Sequence, residues 1–493
     1  MTDTLSLDLT GPAEGLHPPG GESTGVRRRK ASILGLITVF ITQLMLVVDA
    51  SIVNVALPDI QKALHFTPSG LSWVVTGYAL AFAGLMLLTG KLGSKIGAKR
   101  ALIIGTLVFI LASAAGGLAP TASALIVARI VQGIGAAIAA PSTLVLLIEN
   151  TTPGAQRNRA MSLFVLAAGS GGAIGLILGG VLTTGFGWEW VMFVNVPIGV
   201  LIALGAAFFL GETERTRETL DFGGAATSVI AMVGLVYGFT SAASSGWGSP
   251  VVIVSFAVAL AALIGLVVIE RGHHSPVVPL QLFTRARSAV PLVSMLLVPA
   301  GMFAFFYLIT LFTQDVYHFS ALGTGLSLLP FVVTMIVVSQ LAPRLLPQFG
   351  ERLVGAVGLA ALVVGLGWLS QLHADESYVS GILGPIIVMG LGAGLTFAPL
   401  TGLIMAHAPA GHVGATSSVL QTMQQLGGSI GVAVLSTVFV SAAATAGIAS
   451  GLTTAIVGGV VFVGLAFVLY ALWGSNAPAA IEGDADASPV VVH

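Results

Sequence analysis

Asp49 is the seventeenth residue of a 25-residue apolar run, 33–57, and Arg129 lies inside another, 121–148. A charge at the centre of a membrane helix costs about 2.5–3.5 kcal/mol on insertion scales, so each must be compensated or used. Asp49 lies eight residues before the end of its run, and Arg129 eight residues after the start of the other. If the runs are antiparallel, a rise of about 1.5 Å per residue puts both about 12 Å below one boundary, where they can meet. As a fixed pair they would tie two helices together. As a working pair, a carboxylate withdrawn from water would bind and release a proton, because burial favours the neutral form. The residues alone leave both readings open.

Gln43, Asn54, Gln132 and Asn195 add amides to these and neighbouring apolar runs, and Gln421, Gln424 and Gln425 fall at i, i+3, i+4, on one helix face. Interhelical hydrogen bonds explain such groups as well as ligand contact does. Phe303, Phe306 and Tyr307, with Met302 beside them, make a stripe that suits packing or a binding wall. Asp315, Glu149 and Glu270 stand at the ends of runs, where water is expected to reach them. His273, His274, His407 and His412 are too scattered for a metal site. The stretch from Gly84 to Lys91 fails as a phosphate loop, since five residues separate Gly84 from Gly90 and Leu92 follows the lysine. No zinc-protease motif occurs, which argues against an intramembrane metalloprotease.

These residues need a scaffold, and composition says which kind. Of 493 residues 56% are apolar and 8% charged, with mean hydropathy +1.00, against about 45–50% and 25% in a soluble globular protein. A water-soluble fold is excluded, and a net charge of −1 gives no support to a nucleic-acid surface. The absence of cysteine removes disulfides and thiol chemistry. Fourteen apolar runs of membrane-spanning length occur, at 33–57, 70–90, 101–119, 121–148, 160–185, 191–210, 222–242, 251–269, 289–312, 322–341, 354–372, 379–406, 413–440 and 452–473. Counted alternately, seventeen of nineteen Lys and Arg fall on the side of the termini, Lys62 lies opposite and Arg129 is inside a run. Both termini are therefore expected in the cytoplasm.

The chain also repeats. GKLGSKIGAKR at 90–100 is echoed by APRLLPQFGER at 342–352, and GGAIGLIL from Gly171 by GGSIGVAV from Gly427. Both echoes fall in register if runs one to six and nine to fourteen are equivalent halves, a transporter architecture with its substrate site between the halves. The expected organisation is a disordered tail over 1–30, a six-helix bundle over 31–210, two inserted membrane helices with linkers over 211–280, a second six-helix bundle over 281–475 and a disordered tail over 476–493. Gly171, Gly175 and Gly179 recur every fourth residue and suit close helix packing.

LVVDASIVNVALP at 46–58, the loop at 90–100, LIVARIVQGIGAA at 125–137, the glycine row and WEWVMFVNVPIG at 188–199 together resemble the major facilitator superfamily, in particular its fourteen-span drug:proton antiporters. The resemblance covers about residues 31 to 475. It implies two six-helix bundles rocking about a central cavity, with drug export driven by proton entry. By position, Asp49 falls on the first-span acidic residue and Arg129 with Gly133 on the motif linked to proton coupling. Gly90, Gly97, Lys99 and Arg100 match the conformational loop, and Ser94 stands where that loop usually has Asp. Leu176 follows Gly175 where the antiporter motif usually has Pro. The expected function is a proton-coupled exporter of lipophilic neutral or monocationic drugs or antibiotics. The alternatives are a metabolite permease or symporter, and a non-transporting receptor on the same scaffold. The expectation further includes no enzymatic activity and no cofactor besides the coupling proton, a monomer in the cell membrane, and partners limited to small lipophilic molecules and the bilayer.

Overall fold

The computed structural model describes residues 33–66, 68–213, 222–272, 277–373, 376–409 and 412–473. Both expected tails, most of the first linker, His273 and His274 lie outside the described residues. The first half of the chain folds as α1 (Ile33–Ala63), α2 (Pro68–Ile96), α3 (Ala98–Gly117), α4 (Ala122–Glu149), α5 (Ala155–Phe186), α6 (Glu189–Phe193) and α7 (Asn195–Phe209). Next come α8 (Phe222–Ser245) and α9 (Pro250–Gly272), then α10 (Gln281–Thr284), α11 (Ala286–Asp315), α12 (Ala321–Ser327), α13 (Leu329–Leu369), a π-helical turn (Tyr378–Leu383), α14 (Gly384–Ala406), α15 (Val413–Ala446) and α16 (Ile448–Trp473). Helices satisfy every backbone polar group within one segment, which hydrocarbon demands. Among the described residues eleven helices are long and apolar enough to cross a membrane, or twelve if the bent α5 is one span.

Several boundaries depart from the apolar runs. α1 continues through Pro58 to Ala63, because Ile60 is buried against the fold although the sequence there turns polar. α13 joins the tenth and eleventh runs, with a break at Gly350, where φ is 75°. The α2–α3 junction has the same feature, with φ 95° at Gly97. Both positions lie within the echoed segments, one residue out of step, with Gly350 opposite Ala98, and glycine takes this left-handed backbone without the Cβ clash.

The glycine echo is matched as well. Gly171, Gly175 and Gly179 of α5 lie against Val47, Ser51 and Ile52 of α1, while Gly427 and Gly431 of α15 press on the backbone of Leu296 and Ala300 in α11. A first and a fifth helix thus meet through small residues in both halves of the chain.

α8 and α9 pair with each other, and α8 packs on α2 and also on α15, so it crosses from the first half of the chain to the last. Val233 of α8 fills the space at Gly84, the Tyr237 and Trp73 rings lie 5.9 Å apart, and Trp247 Nε1, in the turn after α8, donates to Thr437 Oγ1 of α15 at 3.0 Å. α9 leaves Val254, Leu260, Ile264 and Val268 exposed, as a lipid-facing helix would.

Candidate functional site

Asp49 and Arg129 meet. Arg129 Nη1 donates to Asp49 Oδ2 at 2.8 Å, and the two side chains are 0% and 1% exposed. Gln132, one helical turn beyond Arg129, donates through Nε2 to Asp49 Oδ1 at 2.7 Å and accepts through Oε1 from Arg129 Nη1 at 2.7 Å. Asn195 opens α7 and donates to Asp49 Oδ1 at 2.8 Å. Ser113 of α3 accepts from Gln132 and Asn195, both at 3.1 Å, and donates to the Met192 carbonyl of α6 at 2.8 Å. Arg129 Nε donates to the Val74 carbonyl of α2 at 3.1 Å.

The carboxylate therefore receives three donors, one of them cationic, from α4 and α7. Such charge-assisted bonds are about twice as strong as neutral ones, and they offset the cost of burial. Apolar side chains close the network on either side, Val48, Ile52 and Met192 in one cluster and Met45, Leu46 and Phe109 in another. A protonated carboxyl is itself a donor, and it would face Arg129, Gln132 and Asn195 with their N–H groups all directed at it.

Gly133 makes this contact possible. A Cβ there would strike the Tyr78 carbonyl of α2, so only glycine lets α4 lie close enough for Arg129 to reach both α1 and α2. Tyr78, Ser113 and the Val74 carbonyl went unnoticed in the sequence. A serine or a lone tyrosine in an apolar run is a weak signal, and a backbone carbonyl carries none.

The other amides lie apart from the network. Gln43 Oε1 accepts from Thr143 Oγ1 at 3.5 Å, and Asn54 is exposed with its amide on Ala50 of its own helix. Gln421 is buried and donates to Ser417 at 3.4 Å, Gln424 reaches Met295 Sδ of α11 at 3.6 Å, and Gln425 is half-buried. Phe306 packs on Phe305 and Phe331, at 5.1 Å and 5.3 Å between ring centroids. Phe303, Tyr307 and Asp315 lie on α11, and their side chains are outside the described set. Glu149 is exposed as expected. Glu270 is not water-accessible. It is buried, because the chain folds back after α9 and the amides of Val277 and Val278 donate to its Oε1 at 2.8 Å and 3.2 Å.

The basic end of α2 and the C-terminal part of α4 close on α15. Gly90 lies against Ser418, Ser94 against Gly414, and Ser417 Oγ donates to the Pro141 carbonyl at 3.0 Å. Next to this contact Thr213 Oγ1 accepts from Ala98 N at 2.6 Å, Lys99 Nζ donates to the Ala207 carbonyl at 2.9 Å, and Arg100 lies 3.7 Å from Glu212. The last pair is half exposed and adds little.

A many-spanned apolar helical fold with a buried ion pair between its first and fourth helices defines a polytopic membrane protein. Residues 39–432 match the Major Facilitator Superfamily, and the chain belongs to that family. It is 36% identical to the cephamycin export protein CmcT of Amycolatopsis lactamdurans, covering 85% of this chain and 87% of the relative. It is 34% identical to the uncharacterized MFS-type transporter EfpA of Mycobacterium tuberculosis (86% and 82%) and 33% identical to the puromycin resistance protein pur8 of Streptomyces alboniger (83% and 82%). Its fold is similar to that of the human organic anion transporter MFSD10, with a TM-score of 0.65, 15% identity and coverage of 89% of this chain and 99% of that one.

Proposed function

We propose that the protein is a proton-coupled exporter of lipophilic neutral or monocationic drugs or antibiotics, working by alternating access. The observation that carries this reading is the sealed Asp49 carboxylate, held by donors alone. A proton arriving there forces its partners to move, and those partners join α1 to α4 and α7 directly and to α2, α3 and α6 through Arg129 and Ser113. Titrating one group thus loosens six helices. Names of the relatives given to export and resistance support outward transport over import, despite Ser94 and Leu176.

Fourteen spans follow if α5 and the 30-residue α11 each count once and α13 counts twice, divided at Gly350. The positive-inside pattern then puts both termini, the basic end of α2 and the C-terminal end of α4 in the cytoplasm of a monomeric cell-membrane protein. With those ends closed on α15, the state is outward-facing, and Asn54 on the outer part of α1 faces the open side. Gln43, Asn54, Gln424 and Gln425, none of them fully buried, are assigned to substrate contact, with Phe306 and Gln421 along the opposite half. No cofactor other than the proton enters this scheme.

Accumulation of a lipophilic dye by cells carrying the protein tests it. An inward proton gradient should lower accumulation, and collapsing the gradient should restore it. Accumulation raised by the gradient would indicate a symporter instead.

A further inference from the structure

Besides Gln132 of its own helix, Arg129 keeps two partners that do not depend on Asp49, and both come from α2. One is the Val74 carbonyl. The other is Tyr78, whose buried ring lies with its centroid 4.3 Å from the guanidinium carbon. The Tyr78 hydroxyl is buried without a hydrogen-bond partner, so its polar tip does not account for the contact. The ring face does, since its negative quadrupole attracts a cation, most strongly where water is excluded.

We propose that Tyr78 is a positioning residue that retains Arg129 while Asp49 is protonated. This rests on the proton-coupled reading above. With Asp49 ionised, the carboxylate balances the guanidinium. With Asp49 neutral, a buried cation would have no counter-ion, which is strongly unfavourable. The Val74 carbonyl, the Gln132 carbonyl oxygen and the Tyr78 ring then hold it on α4 beside α2. The titratable groups gathered here are Asp49 of α1, Arg129 of α4 and Tyr78 itself, while α3 and α7 supply the neutral Ser113 and Asn195. The ring therefore stabilises the protonated half of the cycle more than the ionised half. Its loss makes proton uptake harder. Gly133 belongs to the same device, because the close backbone approach it permits at Tyr78 lays the Arg129 chain across the ring.

The test is dye efflux from proteoliposomes at fixed inner pH while the pH of the proton-entry side is varied. Tyr78→Leu is expected to move the midpoint of the profile about one unit toward acid, as a cation–π contact of ordinary strength implies. Tyr78→Phe should restore the wild-type midpoint. Phenylalanines at position 78 with successive ring fluorines, equal in shape but weaker in quadrupole, should shift it acidward in steps, and they serve should the leucine variant fail to fold. A flat midpoint across the fluorinated series, or a shift in Tyr78→Phe as large as in Tyr78→Leu, would overturn the assignment. Asp49→Asn separates the two levels. If it keeps wild-type pH dependence, the coupling reading fails and takes this one with it. If it loses that dependence while the fluorinated series stays flat, the Tyr78 role alone is wrong.

Discussion

Gln132 donates to Asp49 Oδ1 at 2.7 Å, with the orientation of its amide set by Arg129, whose Nη1 it accepts at the same distance. One neutral side chain so ties both charges together. Gln132→Met preserves the length and removes both bonds. Leaving buried charged groups short of partners costs about 1–3 kcal/mol. The variant should melt several degrees below wild type in detergent and export more slowly. An unchanged melting temperature would show that the amide is not needed to hold the pair.

The closed basic end gives a second expectation. At Gly90 any side chain meets Ser418 and the Gly414 carbonyl. Gly90→Val should therefore push α2 from α15 and favour the opposite state, with an overpacking cost of about 1–3 kcal/mol shifting the populations roughly tenfold. The chain has no cysteine, so Asn54→Cys provides a single reporter on the exposed outer part of α1. A hydrophilic maleimide added outside should label it more slowly when Gly90→Val is also present. Equal labelling rates would sink the idea.

The α8–α9 hairpin leads to a prediction about what it does not touch. Thr227 and Ser228 satisfy their hydroxyls on carbonyls of their own helix, at Gly223 and Ala225. Replacing both with Ala should alter expression more than substrate preference. Linking Trp247→Cys to Thr437→Cys, by contrast, ties the hairpin to α15 and should slow export until a reductant is added. A changed drug profile in the alanine variants at normal expression would mean that the hairpin lines the transport path.

Depth counting from helix rise was enough to bring Asp49 and Arg129 together, because two straight helices of opposite direction leave little freedom in height. The amides of Gln132 and Asn195 were visible as polar groups in apolar runs, but their convergence on one carboxylate was not. It depends on the turn between α6 and α7 and on how near α4 comes to α2. The echo between 90–100 and 342–352 puts the two left-handed glycines in corresponding segments, though Gly350 falls one residue beyond the position opposite Gly97. That α8 would bridge α2 and α15 could not be read, since a helix apolar on several faces does not say which neighbour covers it. Glu270 was misjudged for a related reason, as a loop returning over a helix end leaves no periodic trace.

Substrate charge follows from the site. Asp49 is the acidic residue well inside a span, and its donors already surround it. One carboxylate cannot balance two separated positive charges, so monocationic dyes should be exported well and dications of matched lipophilicity poorly. Strong dication efflux would require another carboxylate, such as Asp315, to reach the path.

Arg129→Ala should be tolerated less well than Asp49→Asn, because it strands a buried carboxylate at a cost of about 3–5 kcal/mol. Asp49→Asn keeps the shape, removes the buried charge and cannot titrate. The decisive measurement is dye efflux by purified, monodisperse Asp49→Asn under an imposed pH gradient. The account predicts a variant that elutes normally on gel filtration yet shows no gradient-driven export. Wild-type efflux with unchanged pH dependence would contradict it, and would leave the Asp49–Arg129 pair as a structural tie between α1 and α4.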